Sequence, residues 1–268
     1  MTMGCEPWGR KERLADMRVI LTFRDSPWSW VDLSPFSAVA DRLAESPSGA
    51  GLTDLRFRMG RELLSIDRLF DVQFEHEEEN MLVFRGDCSR AMGIGADLKK
   101  GSLWVQGDAG PGLARGMEGG CLRISGHALG DCCSCMRNGL VLVEGKAGGE
   151  LGWRMRRGLI LVRQMDGPII GRDMRGGTVV VTEKLSPHVR IGPGMDRGSM
   201  ILPCETEISN DFYMTEKLPS SFLKLLFSEM AKTGLPFPAS WKQASFQRYR
   251  GAKSGLGKAE IFVAEKPE

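Results

Sequence analysis

The chain has 268 residues, of which 42% are hydrophobic and 26% are charged, a composition typical of a folded globular protein with one large core. Its 36 Lys and Arg residues nearly balance its 34 Asp and Glu residues, so the net charge of +2 gives no general reason to expect nucleic acid or a membrane surface as a partner. No run comes near the roughly 18 uninterrupted apolar residues that a membrane-spanning helix needs.

The N-terminal segment lacks the apolar stretch of a secretory signal peptide. The seven Cys residues are odd in number and irregularly spaced. Without a secretory signal, this pattern favours reduced thiols and a cytoplasmic location. We expect residues 1–80 to form a mixed α/β lead-in to the repeat that follows.

Residues 81–205 carry a repeat in which a Leu or Met is followed three positions later by Gly. Successive repeats are 19, 19, 19, 19 and 21 residues apart, which predicts one two-residue insertion within residues 183–195. A fixed period of this length is the signature of stacked coils. The six pairs are Leu98/Gly101, Met117/Gly120, Met136/Gly139, Met155/Gly158, Met174/Gly177 and Met195/Gly198.

A short β-type run follows each Gly and contains two apolar residues in alternation, which predicts a strand with one face in a core. These pairs are Leu103/Val105, Leu122/Ile124, Val141/Val143, Ile160/Val162, Val179/Val181 and Met200/Leu202. The Leu/Met positions form another apolar ladder, and a fourth lies four residues before it. Its members are Ile94, Leu113, Cys132, Leu151, Ile170 and Ile191.

Four apolar positions in each coil close a core if successive coils stack about 4.8 Å apart. The sequence therefore predicts an all-β core, a right-handed parallel β-helix of about six 19-residue coils, with small α/β flanks at both termini. We expect each repeated Gly at a corner that needs a positive φ or leaves no room for a Cβ.

The residue between the two inward positions of each strand must face outward. An exposed sheet face is polar at alternate positions, so an apolar outward stripe has to be covered. Either a partner subunit or the chain's own terminal segment can cover it. At this position the coils have Trp104, Arg123, Leu142, Leu161, Val180 and Ile201. We expect a partner interface at Trp104, Leu142, Leu161, Val180 and Ile201.

Residues 132–135, Cys-Cys-Ser-Cys, contain a C-x-x-C spacing that also occurs in metal and redox sites. In the repeat, Cys132 falls in an apolar ladder and Cys133 in a slot that small residues fill, so we expect both in the core. Only Cys135 falls in a variable slot. A metal site would need about four converging ligands.

The three His residues form neither an H-x-H nor an H-E-x-x-H pair, and no nucleophile elbow or phosphate-binding loop is present. We therefore predict no metal site and no catalytic residue in this chain.

The position after the Leu or Met is Arg in three consecutive coils, at Arg137, Arg156 and Arg175. Like charges on adjacent rungs destabilise a sheet. An anionic ligand or an acidic partner surface would relieve this repulsion, and a solvated rim of splayed side chains is the alternative.

We expect residues 206–268 to form a tail with one helix and a final strand. Helical spacing of Phe222, Leu225 and Met230 predicts the helix at Ser221–Lys232, and Gly234-Leu235-Pro236 ends it.

The repeat, roughly G-x-x-M-x-x-G before a β-run, resembles the β-helix of the C-subunit family of formylmethanofuran dehydrogenases, which includes the C subunit of the bacterial formyltransferase/hydrolase complex. It is also similar to the C-terminal domain of the glutamate synthase large subunit. Both flanks extend the resemblance to the C-subunit family. Residues 65–72 resemble its lead-in and residues 218–226 its tail helix. Residues 248–261 resemble its closing R-Y-x-G-D-x-x-x-x-G-K-G-E-I segment, with Ala252 and Ala259 as departures.

This resemblance implies a cytoplasmic complex that moves a formyl group between tetrahydromethanopterin and a furan-type C1 carrier, methylofuran or methanofuran. The chemistry belongs to an amidohydrolase-like subunit and a formyltransferase subunit, whereas the C subunit is a non-catalytic scaffold and interface that binds no cofactor alone. The carrier can bear a tail of glutamates, which fits Arg137, Arg156 and Arg175 as candidate carrier contacts.

Two alternatives remain open from the sequence. One is the same subunit in a molybdenum- or tungsten-dependent formylmethanofuran dehydrogenase. The other is a stand-alone carbohydrate-active β-helix enzyme, which would need clustered carboxylates and aromatic platforms on its outward faces. The sequence shows neither.

Overall fold

The computed structural model describes residues 16–27, 29–45, 52, 55–77, 80–203, 206–215, 221–232, 237–251 and 257–265. The N-terminal elements are β1 (Asp16–Phe23), β2 (Val31–Asp32), α1 (Phe36–Glu45), β3 (Arg56–Met59), β4 (Glu62–Ser65), α2 (Ile66–Leu69) and β5 (Phe70–Glu77). The coils contain β6 (Met81–Arg85), β7 (Ala91–Met92), β8 (Ser102–Gln106), β9 (Cys121–Ile124), β10 (Leu140–Ala147), β11 (Leu159–Met165), β12 (Ile169–Ile170), β13 (Arg175–Leu185), β14 (Arg190–Ile191) and β15 (Arg197–Leu202). The tail contains β16 (Phe212–Met214), α3 (Ser221–Lys232), a 3₁₀ helix (Ala239–Lys242), β17 (Phe246–Gly251) and β18 (Lys258–Ala264).

The long sheet is the stacked face of a parallel β-helix, as the repeat predicts. Strands β1, β6, β8, β9, β10, β11, β13, β15 and β18 follow one another in it, each parallel to the next. The register keeps equivalent repeat positions side by side, since Val141 pairs with Leu122 and with Ile160. The predicted all-β core of about six coils is confirmed.

The predicted ladders meet in one hydrophobic core that runs the length of the coils. The Leu/Met ladder, from Leu98 to Met195, is fully buried. A further ladder on another side of the coils consists of small residues that bridge coil to coil, and the repeat pattern did not reveal it. Its first members are Cys88, Ala109, Ala128 and Ala147.

The six repeated Gly residues share a left-handed backbone conformation at the corner where each strand begins. The first four immediately precede a strand, and Gly177 and Gly198 lie within the first three residues of β13 and β15. Their φ angles are 82° at Gly101, 76° at Gly120, 106° at Gly139, 99° at Gly158, 87° at Gly177 and 107° at Gly198. A side chain is strained in this conformation whatever space surrounds it.

Packing adds a second constraint at these corners. An added Cβ would lie 2.6 Å from the carbonyl oxygen of the preceding repeated Gly at both Gly120 and Gly158, and 2.9 Å from it at Gly198. Gly101 begins the series and meets a different neighbour: its added Cβ would lie 2.4 Å from the carbonyl oxygen of Ala40 in α1. The first corner is thus closed by the N-terminal lead-in, and the later ones by the coil before.

The two extra residues of the last repeat enter between Leu185 and Arg190, just before β14. Lys146 and Lys184 both pair with Gln164 and lie two full 19-residue repeats apart, so the register shifts on both sides of Gln164 belong to β11. The insertion therefore lies inside the predicted segment, 183–195.

The N-terminal lead-in contributes to the same core. Strand β1 extends the parallel sheet upstream of β6, and β5 pairs antiparallel with β1. The rings of Phe36, Phe57, Phe70 and Phe84 form one aromatic cluster, with centroids 5.2 Å apart for Phe36 and Phe84.

The C-terminal tail returns to the sheet. Strand β18 adds to β15 in parallel, β17 pairs antiparallel with β18, and β16 pairs antiparallel with β17. The tail therefore has three described strands in addition to α3, which lies where the sequence predicts a helix.

Several sequence-based expectations fall outside the described residues: the N-terminal segment without a signal peptide, residues 218–220, the helix stop Gly234-Leu235-Pro236, and Ala252, Gly255 and Leu256. In the described parts of the chain, no helix is both long and apolar enough to cross a membrane.

Candidate functional site

The outward apolar stripe forms one continuous row across adjacent strands. Leu142 pairs with Leu161, Leu161 with Val180, and Val180 with Ile201. Phe262 of β18 continues the row beyond Ile201. All five side chains are buried in the isolated chain, and only 1% of the surface of Leu161 is accessible to solvent.

The chain's own C-terminal tail covers this stripe. Leu223, Phe227 and Met230 lie on one face of α3 and belong to the same hydrophobic cluster as the stripe. Trp241 and Phe246 complete the cover, with ring centroids 5.6 Å apart in an edge-to-face arrangement. The expectation of a partner interface at Leu142, Leu161, Val180 and Ile201 is therefore wrong. The chain's own tail, which was the other possible cover, buries these side chains within the subunit.

The first two positions of the outward row differ from the rest. Trp104 is half-buried, and its indole Nε1–H donates to Oγ of Ser125 at 2.9 Å. The guanidinium of Arg123 lies 5.1 Å from the centre of the Trp104 ring and forms an ion pair with Glu144. This end of the row is thus polar enough to meet solvent, and Trp104 is the one member of the predicted interface with substantial exposure.

The predicted arginine row is exposed, but its members differ in their partners. Arg137 forms an ion pair with Glu118 of the preceding coil. Arg156 and Arg175 are exposed, and among the described contacts neither has an acidic partner. The backbone N–H of Arg175 donates to the carbonyl of Met155, one coil earlier, so the row follows the stacking direction.

The row continues further than the repeat predicts. Arg175 pairs in register with Arg197, and Arg197 pairs with Lys258. These three cations are the first residues of β13, β15 and β18, and all are exposed. The repeat does not predict Arg197, because the residue equivalent to Arg175 in the next coil is Asp196 and Arg197 pairs with Arg175 through a register shift between β13 and β15. It does not predict Lys258 because Lys258 belongs to the tail.

A second feature that the repeat does not predict is an aromatic ring in the coil of Arg156 that is held by arginines. The Trp153 indole is half-buried and donates from Nε1 to Oδ2 of Asp173 at 3.2 Å. The guanidinium carbons of Arg154 and Arg172 lie 5.0 and 5.1 Å from the centre of its ring. Arg172 is itself fixed by Glu150 at 2.7 Å. Aromatic–arginine contacts of this kind stabilise an exposed ring in one orientation.

The cysteine cluster is divided between core and surface. Cys132 and Cys133 are fully buried, and Cys135 is exposed. The backbone at Cys133 has φ 59°, and every residue at this repeat position, from Gly95 to Gly192, also has a positive φ. A left-handed corner thus explains the small residues in this slot.

The buried thiols are held in the protonated form. A hydrogen bond with Cys132 and burial both raise the pKa of Cys133 well above the ordinary thiol value, and burial raises the pKa of Cys88 to about 12. A thiolate is the form that binds metals and attacks electrophiles, so these sites oppose both reactions. Among the described residues, no group of three or more His, Cys, Asp or Glu is arranged to hold a metal ion.

No protein-family model and no curated protein matches the chain. Its fold is similar to a chain in the crystal structure of the formyltransferase/hydrolase complex (FhcABCD) from Methylorubrum extorquens in complex with methylofuran. The two chains are 26% identical, with a TM-score of 0.68 over 92% of this chain and 100% of that chain. The match therefore extends beyond the coils into the flanking elements.

Proposed function

We propose that this chain is a subunit of a formyltransferase/hydrolase complex and serves there as a non-catalytic scaffold. The observation that carries the proposal is the similarity to a chain of the FhcABCD complex, which spans 92% of this chain and the whole of that one. A β-helix core alone recurs in proteins of unrelated function, so the inclusion of the flanks is what makes the similarity informative.

A scaffold role fits the way in which the coils use their charged side chains. Ion pairs connect successive coils, as between Arg163 and Glu183 at 3.1 Å and between Lys146 and Asp166 at 3.1 Å. Exposed pairs of this kind contribute little to stability individually, but they hold the surface of one coil in register with the next. The continuous core beneath them makes the solenoid a rigid support.

The partners implied by this assignment are an amidohydrolase-like subunit and a formyltransferase subunit in the cytoplasm. The complex that contains the similar chain is bound to methylofuran, which supports a furan-type carrier. Tetrahydromethanopterin as the second one-carbon carrier is part of the proposal. Of the three candidate carrier contacts, Arg137 already has Glu118 as a partner, whereas Arg156 and Arg175 are left to bind an anionic group of the carrier or of a partner subunit.

The test is purification of the native complex through a tag on this chain, followed by identification of the subunits and assay of formyl transfer and hydrolysis. We expect the complex to be active and the isolated chain to be inactive. Turnover by the isolated chain that persists through further purification would contradict the scaffold role. Molybdenum or tungsten together with iron–sulfur subunits in the purified complex would instead establish the dehydrogenase alternative.

A further inference from the structure

We propose that Trp153, Arg156, Arg175, Arg197 and Lys258 form a docking surface for an acidic face of a partner subunit. We call these five residues the basic face. The inference deepens the proposed function, because it rests on this chain being part of a larger complex and names the surface through which it binds.

The first step is the alignment of the cations. Arg175, Arg197 and Lys258 occupy directly paired positions at the start of three neighbouring parallel strands. Arg156 lies one coil earlier, at the repeat position of Arg175. With rungs about 4.8 Å apart, the four positions span roughly 14 Å along the stacking direction.

The second step is that, among the residues described, no acidic side chain compensates the positive charges of these four cations. Several cations elsewhere on the coils have acidic partners on a neighbouring rung, as Arg172 has Glu150 and Arg163 has Glu183. In the described parts of the chain, no acidic side chain lies at ion-pair distance from any of the four cations of the basic face. Asp196 immediately precedes Arg197 and is half-buried, yet it forms no ion pair with Arg175 or Arg197.

This arrangement is unfavourable in the isolated chain. Like charges on directly opposed positions of a sheet repel one another. A row of carboxylates on a partner would remove the repulsion and gain charge-assisted hydrogen bonds to the guanidinium groups. Single cations such as Lys184 and Arg190 also lack an acidic partner among the described contacts, so the distinct feature of this face is that its uncompensated cations are aligned on successive rungs.

The third step favours a protein over a small anion. Trp153 lies three residues before Arg156 in the same coil, and Asp173 and two arginines fix its ring. Trp and Arg are the residues most enriched at the energetic centres of protein interfaces, where an immobilised ring loses little entropy on binding. A small anion is better held by donors that converge on one point than by a straight row of cations.

The test compares two charge-reversal variants in the tagged, co-purified complex. Arg175→Glu with Arg197→Glu reverses the basic face, and Lys184→Glu with Arg190→Glu is the control. The control makes the same change in net charge at exposed residues of the same coils, and neither residue has an acidic partner among the described contacts. Circular dichroism verifies that both variants fold.

We expect the basic-face variant to bind its partner at least about tenfold more weakly at physiological salt, whereas the control matches wild type. Wild-type binding should weaken as salt rises, because screening acts on the same contacts. A basic-face variant that binds like wild type overturns the inference, even if the co-purifying proteins are the expected subunits. If other proteins co-purify and the variant loses them, the proposed function is wrong but the docking surface stands.

A carbodiimide that joins lysine amines to carboxylates in contact gives a direct readout. We expect a cross-link from Lys258 to an Asp or Glu of the partner, and none from Lys184. Cross-links to the partner from other lysines of this chain but not from Lys258 would place the interface elsewhere. Unchanged subunit binding with loss of methylofuran binding in the variant would show that the row binds a small anion, and would also overturn the inference.

Discussion

Leu161 and Val180 lie directly opposite each other on adjacent parallel strands, and both are buried on the outer face of the sheet beneath the chain's own tail. Leu161→Asp should therefore unfold or strongly destabilise the subunit itself, since a carboxylate in this apolar layer finds neither water nor a partner. The expected loss is several kcal/mol, read as a lower denaturation midpoint.

Leu225→Asp is the matched control, because Leu225 lies on α3 with 63% of its surface exposed. It should change the free energy of unfolding by no more than about 0.5 kcal/mol. If Leu161→Asp folded normally and only dissociated the complex, the tail would not be the cover.

Phe227 is the centre of the covering layer, with its ring centroid 5.9 Å from that of Trp241 and 5.8 Å from that of Phe246. Truncation by Phe227→Ala should cost about 3–5 kcal/mol of unfolding free energy and expose the stripe to an apolar dye. Leu225→Ala, on the exposed side of the same helix, should be close to neutral. Equal effects of the two truncations in denaturant titrations would argue against this orientation of α3.

Gly158→Val and Gly177→Val should abolish soluble expression, because the new side chain meets the preceding coil in a left-handed backbone. At Gly177 an added Cβ would lie 2.6 Å from Cε of Met155. Gly257→Ala separates the backbone strain from the steric contact, since Gly257 has φ 65° and no heavy atom within 4 Å of an added Cβ. That control should lose only about 1–2 kcal/mol, the cost of the backbone conformation. Near-normal melting temperatures for both Val variants would mean that these corners are not constrained.

The thiols should differ in reactivity according to burial. An exposed-thiol reagent should label Cys135 in the native state and leave Cys88, Cys132 and Cys133 unlabelled, as mapped by mass spectrometry. Raising the pH to 9 should not expose Cys88 to reaction, because burial raises its pKa to about 12. Native-state labelling of Cys88 as fast as that of Cys135 would contradict its burial.

The raised pKa of Cys88 also makes the stability of the fold depend on pH. The folded-state pKa lies above the ordinary value of 9.0, so the stabilising effect of the neutral thiol is complete below pH 9 and is lost as the pH rises towards 12. Cys88→Ala should remove this part of the alkaline destabilisation, measured as unfolding free energy against pH.

The coils were predictable because their apolar ladders have large side chains at a fixed period. Leu122, Val141 and Ile160 lie where the 19-residue spacing puts them, on neighbouring strands. The ladder of Cys88, Ala109, Ala128 and Ala147 escaped notice because Ala carries a weak apolar signal and the spacing of the ladder changes at its start.

The cover of the outward stripe could not be decided from the sequence. A partner and a tail helix bury an apolar strand face by the same physical effect, and the period of Leu161 and Val180 contains no information on which one does so. The basic face was only partly found for a different reason. Arg175 follows the repeat, but the pairing of Arg197 with Lys258 joins two segments that no common period relates.

The antiparallel strands at the two ends of the parallel stack have a consequence for assembly. Successive coils offer each other the same hydrogen-bonding edge, so a solenoid has no intrinsic length and a second molecule could add the next rung. Here β5 reverses direction against β1, and β17 reverses direction against β18, while the edge strand β16 pairs antiparallel with β17 and has only three residues. A coil from another molecule would meet a strand of the opposite polarity at the β5 end and an edge of only three residues at the β16 end. Both features oppose end-to-end growth into fibrils.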